Sequence, residues 1–167
     1  MKVASILADQ LNGTREWTLK LIADMAGDDW KFQPAPGMSH ALWLCGHIAV
    51  SQNTLIHIRC LHKPVVSEDF INHFPIGAPV KSAGEHPFPS PPAVQAEMKR
   101  VHELTLTAIS GMSDAQLAEP AFAADGKTFH PHYRDKAGAI AHCNRHEAFH
   151  AGQIASIRRL LGKTFLR

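Results

Sequence analysis

Val3, Ile6, Leu7, Leu11, Thr14, Thr18, Leu21, Ile22 and Met25 follow one another mostly at three- and four-residue steps. That spacing draws one stripe along an α-helix and predicts a first amphipathic helix stopping near Gly27. Pro34 and Pro36 then force an extended connection. Ser39 is placed to cap a second helix running to about Leu61, just before His62-Lys63-Pro64. Residues 63–92 hold seven of the eleven prolines and little periodicity, which predicts a long proline-rich loop between helices 2 and 3. Pro91 and Pro92 suit the first turn of a third helix. Its stripe is Val94, Met98, Val101, Thr105 and Ala108, and Gly111 ends it. Asp125-Gly126 has the form of a tight turn in a small hairpin. Asp135 caps a last helix to about Leu161, roughly 27 residues and about 40 Å long. Arg158 and Arg159 in its final turns suit the negative end of the helix dipole. Four long amphipathic segments without convincing strands predict an all-α four-helix bundle, a single domain over residues 1–167.

Composition narrows the partners. Apolar residues make up 45% and charged residues 19%, ordinary values for a soluble globular protein. A formal charge of +2, with no basic run and no interleaved aromatics, argues against nucleic acid and against a membrane surface. The first residues lack the apolar core of a signal peptide, and no stretch reaches membrane-spanning length. Cys45, Cys60 and Cys143 form no Cys-x-x-Cys pair, which fits reduced thiols in the cytoplasm. A small molecule is the partner class left. The outlier is histidine, twelve residues spread along the chain rather than gathered in a tag.

His146-Glu147-Ala148-Phe149-His150 sets two imidazoles four residues apart, one turn of helix, so both rings share a face and can share a metal ion. With Glu147 after the first histidine, the string fits the H-E-x-x-H pattern of zinc proteases, in which the glutamate is the base. In those enzymes the third ligand follows downstream. Here the seventeen residues after His150 contain no His, Asp, Glu or Cys, so a third ligand must come from upstream and the protease reading fails. Glu147 is then a candidate base, with a salt bridge to another helix as the competing account. The second helix carries His40, His47 and His57. His40 and His47, seven apart, share a face with Trp43, Leu44 and Thr54 and can meet the pair across a bundle core. His142 has the same spacing to His146 as His150 has and competes with it.

The stretch Pro34-Ala-Pro-Gly-Met-Ser-His-Ala-Leu-Trp-Leu-Cys-Gly-His47-Ile, followed by His146-x-x-x-His150-x-Gly152-Gln153-Ile154, resembles the DinB-like (DinB/YfiT) family. The resemblance covers nearly the whole chain in helix order and loop placement. It implies an up-down-down-up bundle, often a homodimer, in which His47, His146 and His150 bind one divalent ion, commonly zinc or nickel. With Gly152-Gln153 after His150, His40 and His142 are left as residues of the surrounding pocket, and the Gln153 amide either orients a ligand or water or packs between subunits. Phe70, His73, Phe74 and Phe88 form either a lid or an anchored surface loop. His130, Pro131, His132 and Tyr133 are candidates for the mouth, and Cys143 is close to the His146 face. Family members with assigned activities include transferases and isomerases that use bacillithiol or mycothiol. The expected function is a metal-dependent transferase that activates a low-molecular-weight thiol against a small electrophile. The alternatives are a metal-dependent hydrolase and a non-catalytic stress-response metal-binding protein.

Overall fold

The computed structural model describes residues 2–166. Four long helices carry it: α1 (Val3–Ile22), α2 (Ala41–Gln52), α4 (Pro91–Ser110) and α6 (Lys136–Leu160), with short helices α3 (Glu68–Asn72) and α5 (Asp114–Leu117) between them. Among the described residues there are no strands. The expected hairpin reduces to two isolated antiparallel bridges, Phe122 to Phe129 and Pro120 to Asp135, around a turn in which Gly126 takes a φ of 67°.

Cross-helix contacts fix the directions. Thr14 meets Asn144, Arg15 meets Glu147 and Leu21 meets Arg158, so α1 and α6 run parallel. Gln52 meets His102 and His57 meets Thr105, so α2 and α4 are parallel too. Asn12 reaches His102 while Arg15 reaches Met98, so α1 opposes α4. The order is up-down-down-up. Two consecutive parallel helices need a connection that travels back the length of the bundle, and this is why the proline-rich segment before Ser90 is so long.

Helix ends follow local chemistry. Asp135 accepts from the Gly138 N–H at 2.7 Å, and Ser90 accepts from the Ala93 N–H ahead of Pro91 and Pro92. Three expectations shift. α1 stops at Ile22, and Gly27, with a φ of 52°, opens a 3-10 turn (Gly27–Lys31) instead of closing α1. Its buried stripe is Ala4, Leu7, Ala8, Leu11, Arg15, Thr18, Leu21 and Ile22, while Val3 and Ile6 face outward. The cap of α2 is His40, not Ser39: its Nδ1 accepts from the Trp43 N–H at 3.1 Å.

α2 is buried on every face, from Ala41 to Gln52. A bundle helix ordinarily leaves one face to water; here the crossover covers it. Phe74, 0% exposed, lies flat enough on the α2 backbone that a Cβ at Gly46 would come within 2.1 Å of its ring. Phe70 and Phe88 pack against the same cluster. These aromatics anchor the loop. Below Gln52 the helix widens into a π-turn (Asn53–Ile58), with hydrogen bonds from the Arg59 N–H to Thr54 and from the Leu61 N–H to Ile56. Asn53 Oδ1 then accepts from the Val65 and Val66 N–H groups and ties down the start of the crossover.

The core falls into two apolar halves. One gathers Leu21, Ile22, Leu44, Ile48, Val94, Met98 and Ile154; the other gathers Leu7, Leu11, Ile56, Ile109, Ile140 and Cys143. Between them lies a polar layer around Arg15, which is 2% exposed. Its Nε and Nη2 donate to the two Glu147 oxygens at 2.7 and 3.0 Å, Nη1 donates to the Met98 carbonyl at 2.7 Å, and Nη2 also reaches Gln52 Oε1 at 3.0 Å. One guanidinium therefore touches all four long helices. Gly46→Ala is expected to force Phe74 off α2 and to cost about 1–3 kcal/mol in urea unfolding, as overpacked cores do; full stability in that variant would contradict this packing.

Candidate metal centre

His47 on α2 and His146 and His150 on α6 converge with their ligand-capable nitrogens within 4.8 Å of one another. His146 Nε2 lies 3.2 Å from His47 Nε2 and 3.2 Å from His150 Nε2. A neutral imidazole carries one N–H, so His146 Nε2 cannot satisfy both neighbours with protons. A cation in the middle satisfies all three lone pairs. For nitrogen ligands about 2.0–2.1 Å from a tetrahedral ion, neighbouring donors stand about 3.3 Å apart. The donor set fits a divalent transition ion.

The surroundings keep the three rings neutral and oriented. Burial, then the neighbouring imidazoles, pull His47 down to about 3 and His146 down to about 4; burial lowers His150 too, against the pull of Gln153 and Glu147. Neutral imidazole is the ligating form. His150 Nδ1–H donates to Gln153 Oε1 at 2.6 Å, which leaves the Nε2 lone pair facing its partners. Trp43 stacks on His47 at 4.5 Å and 9°, and Ser51 Oγ stands 3.3 Å from His47 Nε2. Among the described residues no Asp, Glu or Cys joins the cluster.

Each of the other expected residues has a definite place. Glu147 is not available as a base: it is 2% exposed, points into the core, and gives both oxygens to Arg15. The salt-bridge account is the one the structure supports. His40 is not a pocket residue, because its ring closes the start of α2 and is fully buried with its Nδ1 engaged. His57 turns to Thr105 on α4. Cys143 belongs to the apolar core, and burial pushes its thiol well up. His142 stays at the site, with its ring 6.3 Å from His146 and stacked on His132 at 4.9 Å. His130 and Tyr133, stacked on each other at 4.4 Å, lie against His142, so the expected mouth residues do assemble there. Arg15 had no place in the sequence reading. Its signal was a lone cation in the register of Leu11 and Thr18 on an otherwise apolar stripe.

The model of the DinB superfamily matches residues 10–154. The chain belongs to that superfamily. Its fold recurs in a conserved protein from Enterococcus faecalis, 19% identical, with a TM-score of 0.74 over 98% of this chain and 99% of that one. It recurs also in YfiT from Bacillus subtilis, 12% identical, with a TM-score of 0.68 over 96% of this chain and 89% of that one. YfiT is described as a probable metal-dependent hydrolase with an unusual four-helix bundle topology. Comparison with curated proteins finds no match. No described helix is long and apolar enough to cross a membrane.

Glu147→Leu leaves the Arg15 charge buried without its partner, which costs about 3–5 kcal/mol of stability, whereas Arg15→Met with Glu147→Leu costs far less than the two single changes summed. Denaturant unfolding of the three variants checks this. Acid acts on the same region. His47, His102 and His146 have folded values depressed to about 3, 3 and 4, against 6.5 when unfolded, so they contribute stability above that range. Below pH 6.5 the unfolded chain takes up protons that the folded one refuses. Metal-free protein is expected to lose up to about 1.4 kcal/mol per pH unit for each such histidine between pH 6.5 and 4, measured by urea titration across that range.

Proposed function

We propose that His47, His146 and His150 hold one divalent transition ion, zinc or nickel, and that the protein is a metal-dependent transferase using a low-molecular-weight thiol against a small electrophilic substrate. The observation that carries this reading is the convergence of three imidazoles, two buried and one half-buried, with His146 Nε2 standing 3.2 Å from the Nε2 of each of the other two. Bound there, the ion supplies a Lewis acid that lowers the pKa of a thiol or of water.

The chain's own residues do the rest. Three uncharged ligands leave the ion's positive charge undiminished, which favours an anionic nucleophile beside it. Gln153 holds the proton on His150 Nδ1 and so keeps Nε2 as the ligand atom. Trp43 shields the back of His47 from water. His146 is the partly exposed member of the three, and His142 and His132 wall the approach to it. With Glu147 committed to Arg15, no carboxylate is at hand to deprotonate the nucleophile. That favours a thiol: its pKa of about 8.5 needs a far smaller shift than the 15.7 or so of water. The description of YfiT favours the second reading, a metal-dependent hydrolase. We further propose a homodimer in the cytoplasm acting on a small molecule; the low formal charge of +2 supports a small molecule over nucleic acid.

Protein purified without a tag is expected to carry about one transition ion per chain, absent in His47→Ala and His150→Ala. Gln153→Leu is expected to bind the ion about 10–100-fold more weakly. A screen of thiols against electrophiles then decides the chemistry. Metal-dependent turnover that requires thiol supports the transferase; turnover without thiol supports the hydrolase. Metal binding with neither leaves a non-catalytic metal-binding protein, and a chain with no affinity for zinc or nickel sinks the site.

A further inference from the structure

The crossover does more than cover α2. Between it and the helix lies a cavity of about 120 Å³, separate from the three-histidine cluster. Trp43, Val80 and Phe88 give it apolar walls; His73, Lys81 and His86 give it polar ones. The indole that lines it is the one stacked on His47, so a single ring stands between this cavity and the proposed metal ligands.

Its polar side carries one full charge, that of Lys81. His73 Nδ1 and His86 Nε2 are 3.2 Å apart, one donating to the other, so the accepting ring keeps its outer N–H for an occupant while the donating ring's outer nitrogen is a lone pair. Lys81 forms no ion pair with any described residue, and its charge helps depress His86. No Asp or Glu lines the cavity. A lysine ammonium and one imidazole N–H above an apolar floor, with no acidic residue among the described lining, match a carboxylate on a short hydrocarbon. Size sets the other limit. The volume is about that of four water molecules at ~30 Å³ each, well below the roughly 300 Å³ at which drug-sized pockets begin.

We propose that this cavity between α2 and the crossover, walled by Trp43, His73, Lys81, His86 and Phe88, is a binding site for a small carboxylate. The bland alternative is a solvent-filled crevice beside a hydrated lysine, and the charge requirement separates the two.

The test is a titration of the full-length protein with butyrate and, in parallel, with its neutral isostere butyramide. Binding is followed by NMR through the imidazole resonances of His73 and His86 and the Trp43 indole. Butyrate is expected to shift all three saturably, with butyramide at least tenfold weaker. Lys81→Met, an exposed position that leaves the core untouched, is expected to weaken butyrate at least tenfold. Equal binding of acid and amide, or unchanged affinity in Lys81→Met, overturns the proposal. Repeating the titration in His150→Ala distinguishes the cavity from direct coordination by a metal. Butyrate binding is expected to persist there, and its loss would place the carboxylate on the ion instead and also overturn the proposal. Because the His150→Ala arm needs no metal, failure of the metal reading leaves the carboxylate site standing or falling on its own.

Discussion

A single guanidinium fork at the centre of the bundle ties the four long helices together. Arg15 reaches Glu147 on α6, Gln52 on α2 and the Met98 carbonyl on α4 from its own place on α1. A buried charge pair of this kind adds little net stability over a well-packed apolar substitute, but all its hydrogen bonds are met in this arrangement of the helices. By drawing Glu147 inward it sets the phase of α6. At about 100° per residue, His146 and His150 then fall about 40° apart on one flank of that helix. That flank faces α2, and His47 is there to meet them. The glutamate inside the H-E-x-x-H string is thus tied to the three-histidine cluster through geometry: it aims the histidines on either side of it.

Much of this was legible before any coordinates. Four helices, their order, the long loop and the three converging histidines follow from spacing, capping residues and the family resemblance, and the structure assembles them as expected. What escaped has physical reasons. A charged residue in an apolar stripe looks like noise until its partners are known, and the partners of Arg15 lie 37, 83 and 132 residues away. His40 took the capping role because the chain enters α2 one residue later than the Ser39 reading implies, and an imidazole nitrogen can accept an N–H as a serine hydroxyl does. His142 and His150 stand at equal distances from His146 in sequence; only the direction of α6 against α2 brings His150 and not His142 into the cluster with His47.

The crossover shows how topology and chemistry meet. Parallel α2 and α4 oblige the chain to return along the bundle, and the returning segment has to lie on something. It lies on α2, the helix that carries His47, with Phe74 seated on Gly46 one residue before that histidine. The side of α2 that a simpler bundle exposes is thereby dried, and this is part of why burial depresses His47 so far.

The π-turn at Asn53–Ile58 has a consequence of a different kind. One extra residue in a helical turn slips everything beyond it out of step with what came before, so the two parts of the helix no longer share a single angular frame. Above the slip, Trp43, His47 and Ser51 are held in alignment with the histidines of α6; below it, Leu55 and Ile56 fill the lower apolar half and His57 turns to α4. The bulge works as a clutch between a chemical segment and a structural one. Without that extra residue one continuous helix could not present His47 to α6 and His57 to Thr105 on α4 in these same orientations.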